Sequence, residues 1–285
     1  TTGQAYASFA NQADVILSEP GALVGFAPLR VLQETEDTPL PLEAHTAEAH
    51  LAHGMVDAIV DREELRGTLA DLLGRLSPQR QQVKFLRPRR VNTKPREALD
   101  AWEAIQRVRR SDRLTAAEYV NRITTGFVNL HGDRVSTDDP AIICGFGSLE
   151  GLSVVIIGQQ RQGTPDGGVR SAAISPEGFR KAQRAMRLAA KFGMPLITLI
   201  DTTGPSTSLE AEERGIGSSI AATMTSMAGL PVPSIAVIIG EGGREGALAL
   251  SIADRILMTE SAILSPISPE AAASLMYRDD ARADE

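Results

Sequence analysis

From residue 141 onward, short apolar runs alternate with longer stretches whose apolar residues recur at helical spacing. The short runs predict strands over 141–144, 153–158, 196–201, 234–240 and 255–258, and the longer stretches predict helices over 177–192, 211–228 and 244–252. Helices interposed between buried strands mark a layered α/β domain with crossover connections, in which ligand sites collect beyond strand ends. Gly158, Asp201 and Gly240 are placed at such ends.

The chain before residue 100 is patterned differently. A short helix is predicted over 5–12, a strand over 14–17, a turn at Pro20-Gly21 and a second strand over 22–26. A helix over 46–53 stops at Gly54, a strand follows over 55–60, and Asp61-Arg62-Glu63-Glu64 reads as a capping box opening a helix toward Leu76. Between 77 and 98 the chain carries Arg80, Lys84, Arg87, Arg89, Arg90, Lys94 and Arg96, no acidic residue before Glu97, and breaks at Pro78, Pro88 and Pro95. This reads as an exposed basic linker; the alternative is a cluster that meets phosphates or an acidic partner. Helices over about 98–108 and 116–130 open the second block.

With 285 residues and 42% hydrophobic content the chain is expected to bury a substantial core. Aromatics are only 4% and the net charge is -7, which argues against nucleic acid as a partner. No stretch approaches the ~20 continuous apolar residues of a membrane span. The one cysteine, Cys144, lies in an apolar run and is expected to be buried and inert; a reducing cytoplasm is the economical setting. No cysteine cluster for zinc exists, so no metal is expected. Opening on Thr1 rather than Met, the residues are expected to belong to a longer or processed polypeptide.

The two ends carry related units. Ala13-Asp14-Val15-Ile16-Leu17 and Ala253-Asp254-Arg255-Ile256-Leu257 match at four of five positions, about 240 residues apart. Each is preceded by a glycine-bearing turn and a small-residue helix, with Gly3-Gln4-Ala5 before the first and Gly242-Gly243-Arg244-Glu245-Gly246-Ala247 before the second. The pair suggests a duplicated fold rather than a short-period solenoid. Glycines at a strand-to-helix turn let the backbone approach a ligand, and free N–H groups at the helix start can stabilise an oxyanion; tight packing alone is the plainer use of such glycines.

The run Ile235-Ala236-Val237-Ile238-Ile239-Gly240-Glu241-Gly242-Gly243-Arg244-Glu245-Gly246-Ala247-Leu248-Ala249 resembles the glycine motif of the carboxyltransferase α subunit of bacterial acetyl-CoA carboxylase. Ser175-Pro176-Glu177-Gly178-Phe179, Lys191-Phe192-Gly193-Met194-Pro195, Ala211-Glu212-Glu213-Arg214-Gly215 and Ile267-Ser268-Pro269-Glu270 agree in order. The first block resembles the second half of the β subunit through Thr1-Thr2-Gly3, Ser18-Glu19-Pro20-Gly21-Ala22-Leu23-Val24-Gly25-Phe26 and His53-Gly54-Met55-Val56-Asp57. The resemblance implies a β–α fusion: the C-terminal part of a β-like domain over 1–76, the linker over 77–98 and an α-like domain over 99–285. It implies two crotonase-like (ClpP/crotonase) layered α/β domains related by duplication, and oligomerisation.

It also implies the chemistry: a carboxyl group moves from carboxybiotin, held on a biotin carboxyl carrier protein and charged by biotin carboxylase, to the α-carbon of an acyl-CoA, as in fatty acid biosynthesis. Backbone amides would stabilise the enolates, Gly3 with Gln4 in the β-like half and Gly246 with Ala247 in the α-like half. Gly242, Gly243, Glu245, Gly25, Phe26 and Gly204 would shape the substrate site.

Departures from the family pattern fall on these positions. Gly3-Gln4 stands for two adjacent glycines, Arg244-Glu245-Gly246 for Ser-Gly-Gly, and Gly158-Gln159-Gln160-Arg161-Gln162-Gly163 for a stretch containing His-Gln-Lys-Gly-Arg. A backbone amide survives replacement of glycine by Gln or Glu, but a Cβ opposes a positive φ and Glu245 brings a charge that opposes an oxyanion unless Arg244 compensates it. Two further readings follow: a decarboxylase of malonyl-type thioesters, and a non-catalytic subunit of a carboxylase complex. Pro165-Asp166-Gly167-Gly168 reads as a connection or a lid.

Overall fold

A computed structural model describes residues 5–6, 10, 13–26, 29, 33, 39–77, 100–163, 169–171 and 173–284. The turn at Gly3-Gln4, most of the helix expected over 5–12, the linker beyond Ser77 and the loop 165–168 lie outside the described residues.

The first block holds β1 (Leu17–Ser18), α1 (Ala47–Ala52), β2 (Ala58–Ile59) and α2 (Leu65–Leu76), with β1 and β2 pairing in parallel. Thr46 caps α1 by accepting from the Ala49 N–H, and Gly54, at φ 69°, turns the chain out of it. Three expectations are corrected. Residues 14 and 15 bend instead of extending and the strand begins only at Leu17, with the Ile16 N–H donated to Asp57 and Asp14 held by Lys191. The strand expected over 22–26 is reduced to isolated bridges, one of them antiparallel between Leu23 and Thr46. The capping box at 61–64 does not form: Glu64 is the N-cap without a side-chain bond, and Arg62 is drawn away to Glu19.

The second block follows as α3 (Ala101–Val108), α4 (Ala116–Ile123), β3 (Thr125–Asn129), β4 (Ile142–Leu149), β5 (Leu152–Gln159), β6 (Arg161–Gly163) and β7 (Val169–Ser171). Then come α5 (Pro176–Phe192), β8 (Leu196–Thr202), α6 (Leu209–Glu213), α7 (Ile216–Ala228), β9 (Ser234–Gly243), α8 (Arg244–Ser251), β10 (Arg255–Met258), β11 (Ile263–Ser265) and α9 (Pro269–Tyr277). One sheet runs β10-β9-β8-β5-β4-β3, with β11 also paired to β9. The strands β5, β8, β9 and β10 are parallel and β3, β4 and β5 antiparallel, so the sheet is mixed.

The helix expected over 116–130 is cut at Ile123: Thr124 is the C-cap, and Gly126 at φ 59° begins the edge strand β3 instead. The single helix expected over 211–228 is two, divided at Gly215, which takes a left-handed conformation at φ 76°. Strand β9 runs three residues past Gly240, so Gly240 lies inside the strand; β3, β11 and α9 were not foreseen.

Both faces of the sheet are covered. On one, α5 buries Phe179, Ala182 and Met186 against Phe146, Val155 and Leu196. On the other, Ala116 and Val120 of α4 meet Val154, Ile156 and Leu199. Each such buried aliphatic or aromatic side chain contributes roughly 1.5–3 kcal/mol. Ser175 caps α5, Pro176 occupies its first turn, and Gly193, at φ 64°, ends it and aims the chain into β8. Cys144 is buried in this core and burial pushes its thiol up to about 11, so it stays protonated.

The blocks meet at a buried carboxylate. Asp57 pairs with Arg134 and with Arg184 (3.0 Å), and accepts the backbone N–H of Ile16 (2.8 Å) and His131 (3.2 Å). Beside it Gly54 and Gly132 pack backbone on backbone, leaving no room for a Cβ on either.

Candidate functional site

Strand β9 passes into α8 without an intervening loop. Gly243 is the N-cap in an extended conformation and makes no side-chain cap bond. With Arg244 as the first helical residue, the N–H groups of Arg244, Glu245 and Gly246 precede the first i→i−4 bond, and that of Ala247 is the first able to reach back, to Gly243. A helix start of this kind carries partial positive charge and donors aimed outward, the requirements of an anion or oxyanion site.

Glycine is required here by close backbone approach. A Cβ on Gly243 would sit 2.5 Å from the Thr203 carbonyl oxygen, and one on Gly246 would sit 3.0 Å from the Gly204 carbonyl carbon and 3.1 Å from Pro205 N. The segment after β8 therefore lies directly on the turn. Gly204 itself has φ 138° and is covered by the Arg244 side chain, and Thr202 Oγ1 receives the Gly204 N–H at 3.1 Å. Gly242 faces the other way, against Leu264 and the Ile263 carbonyl of β11.

The positive φ of the turn falls on Arg244, at 53°, and not on Glu245. Left-handed backbone in a side-chain-bearing residue costs on the order of 1–2 kcal/mol. Glu245 is helical, its side chain is half exposed, and it faces Arg244 at 3.6 Å. The Cβ of Glu245 therefore meets no conformational barrier, and its charge has a cation beside it.

Beneath the turn lies a buried polar network. Gln159, at the end of β5 and only 1% exposed, accepts the Asp201 N–H (3.1 Å) and donates to the Gly246 carbonyl (2.7 Å). Asp201, at the end of β8, accepts the Glu241 N–H (3.0 Å) and is clasped by Arg113 at 2.9 and 3.0 Å. Burial raises the Asp201 carboxyl above the usual range, and Arg113 opposes that. Arg113 also donates to the carbonyls of Val108 (2.7 Å) and Ile239 (2.8 Å). Arg109 bridges Glu241 (3.0 Å) and Glu270, tying β9 to α3 and α9; its pKa is raised, most by the hydrogen bond to Glu270.

The structure thus brings together Gly204, Gly243, Glu245, Gly246 and Ala247 of the expected site residues, with Gly242 behind them. Gly25 and Phe26 sit elsewhere, in the first block: Gly25 packs on the His45 ring and Phe26 is 62% exposed. Gly3 and Gln4 lie outside the described residues. Sequence reasoning missed Gln159, Arg113, Arg109 and Glu241 as supports of the turn. The available signal was a polar residue closing each of two apolar strands, Gln159 and Asp201, whose side chains have to find buried partners.

Among the described residues no group of His, Cys, Asp or Glu is arranged to hold a metal, and no helix is long and apolar enough to cross a membrane.

Residues 75–285 match the family model described as acetyl co-enzyme A carboxylase carboxyltransferase-like. The acetyl-coenzyme A carboxylase carboxyl transferase subunits beta/alpha of Clostridium tetani are 42% identical over 289 residues, covering 100% of this chain and 50% of that protein. Those of Frankia alni are 46% identical over 290 residues, covering 99% and 48%. The alpha subunit of Staphylococcus epidermidis is 47% identical over 193 residues, covering 67% of this chain and 62% of its own. The chain spans about half the length of the fused relatives it matches. Among solved structures, a transcarboxylase 12S crystal structure with methylmalonyl-coenzyme A and methylmalonic acid bound superposes with a TM-score of 0.76 at 20% identity, covering 99% of this chain and 56% of that one. A single-chain, multi-domain long-chain acyl-CoA carboxylase superposes with a TM-score of 0.72 at 20% identity, covering 99% and 28%. At such identity these two carry the fold, the crotonase-like α/β architecture, and no more.

Proposed function

Because the chain belongs to the acetyl-coenzyme A carboxylase carboxyltransferase family, we propose that it forms part of an enzyme moving a carboxyl group from carboxybiotin to the α-carbon of an acyl-CoA. The observation that supports this most is the turn at 243–247: a helix start without a side-chain cap, glycine backbone in close contact with the segment after β8, and a buried network joining that turn to the ends of β5 and β8.

The residues present fit such a substrate pair. The first-turn N–H groups of this helix start, with no side-chain cap on them, suit an oxygen that gains negative charge, whether of a thioester or a ureido group. Bound carboxybiotin would supply the carboxyl group and the acceptor of the α-proton. The chain's own part is to bind, to orient, and to hold the developing enolate oxygen on backbone donors, each worth on the order of 3–4 kcal/mol in a transition state. Gly204, held by Thr202, and Arg244 above it form one wall of the site. A biotin carrier protein, biotin carboxylase and further copies of the chain are the partners this reading requires. The cytoplasm is its setting, which the single buried thiol of Cys144 suits. The division into 1–76, 77–98 and 99–285 is part of the same proposal.

Altered residues at 244–245 raise the alternative of a non-catalytic subunit. The helical backbone at Glu245 and the outward, Arg244-facing carboxylate favour a working turn instead. The deciding experiment assays the full-length polypeptide with its biotinylated carrier for acyl-CoA-dependent decarboxylation of carboxybiotin. Turnover with a short or long acyl-CoA, abolished by avidin, is expected. Absence of turnover with every acyl-CoA tried would sink the proposal, and avidin-insensitive loss of carboxyl from malonyl-type thioesters would replace it with a decarboxylase.

A further inference from the structure

Gln159 is buried at the end of β5, and its side chain ends on the 243–247 turn. Its amide orientation is fixed by its partners: the Asp201 N–H can only donate and the Gly246 carbonyl can only accept, so Oε1 faces the first and Nε2 the second. At 1% exposure, neither contact competes with water.

We propose that Gln159 is a positioning residue that aims the donors of the 243–247 turn, an inference that rests on the oxyanion reading of that turn. A peptide unit is planar, so fixing the Gly246 carbonyl fixes the plane of the 246–247 peptide and the ψ angle of Gly246, and so steadies the residue whose own N–H is the last of the three that precede the first i→i−4 bond. Glycine is the residue whose backbone is otherwise freest, and this one packs against Gly204 and Pro205 on its Cα side. The other end of the Gln159 amide is anchored to Asp201, whose carboxylate holds the Glu241 N–H and Arg113. One side chain therefore joins β5, β8 and α8 into a frame, so that the donors are aligned before substrate arrives.

Two substitutions in the full-length protein test this. Gln159→Met keeps the length and loses both hydrogen bonds. Expected are a fall in kcat of roughly 10–100-fold, below the ~10²–10³ of a deleted oxyanion donor, with KM within about three-fold. Amide exchange should accelerate over 244–248 and at Asp201, whose N–H loses its acceptor, but not in the rest of β8. Gln159→Glu keeps the shape; ionised, it sets a carboxylate against the Gly246 carbonyl, and protonated, it donates to it. The variant's rate relative to wild type should therefore rise as pH falls, with Asp201, Arg113, Arg161 and Glu241 the charged groups around it.

A Gln159→Met enzyme with kcat within two-fold of wild type and unchanged exchange overturns the proposal. So does a Gln159→Glu ratio that is flat with pH. If the wild-type protein itself shows no turnover, the carboxyltransferase reading fails separately, and exchange at 244–248 alone decides whether Gln159 holds the turn.

Discussion

Two buried carboxylates organise this molecule in different ways. Asp57 gathers two guanidinium groups, Arg134 and Arg184, from the second block, and so fastens the first block to it. Asp201 is clasped by Arg113 and accepts the backbone N–H of Glu241 with one carboxylate oxygen. The first network joins segments far apart in sequence; the second sets the geometry of a strand end at Glu241, two residues before the turn begins. Charge burial costs several kcal/mol per ion unless it is repaid by partners, so each network is tightly specified. What each specifies differs: assembly of the blocks in one case and aim of the turn in the other.

The largest break in this comparison comes from Asp57→Ala. Two arginines would be left without their carboxylate, and a loss of about 3–5 kcal/mol is expected, read by denaturant unfolding; a loss under 1 kcal/mol would mean that the block joint is held by packing alone. Gly243→Ala acts on the other region. Its Cβ would meet the Thr203 carbonyl at 2.5 Å, in backbone that cannot swing aside. A cost of about 1–3 kcal/mol is expected, together with a larger loss of turnover than stability explains. Retained turnover would separate the turn from the chemistry. The smallest effect sharpens the comparison: Arg244→Gly removes left-handed strain at φ 53° and should raise stability by up to about 1 kcal/mol. A fall in Tm instead would show that the Arg244 side chain, lying over Gly204, contributes more than its backbone costs.

The long parallel strands were legible because their apolar runs are continuous and both faces are buried: β8 and β10 were placed within one residue of their bounds. Helix α5 carried its own punctuation in Ser175, Pro176 and Gly193. The first block was harder. Its strands β1 and β2 have two residues each, too few for a period to show, and their neighbours are set by Asp57 and Lys191 rather than by local propensity. The repeated units illustrate the same limit: Leu17 pairs with Ala58 of β2, whereas Leu257 pairs with Val237 of β9. Similar sequence took different partners because register depends on which edge is available.

By itself the sequence determined the alternation of strands and helices, the glycine turn between β9 and α8, and the family through the order of its motifs. These are local in the chain: apolar period, caps and short runs of glycine are each read within a few residues. Only the tertiary structure decided that the positive φ falls on Arg244 and that Gly204 lies under its side chain. It alone decided that Gln159, 87 residues from Gly246, holds that carbonyl. Buried polar groups must find partners wherever the packed chain supplies them, and no spacing in sequence says where that is.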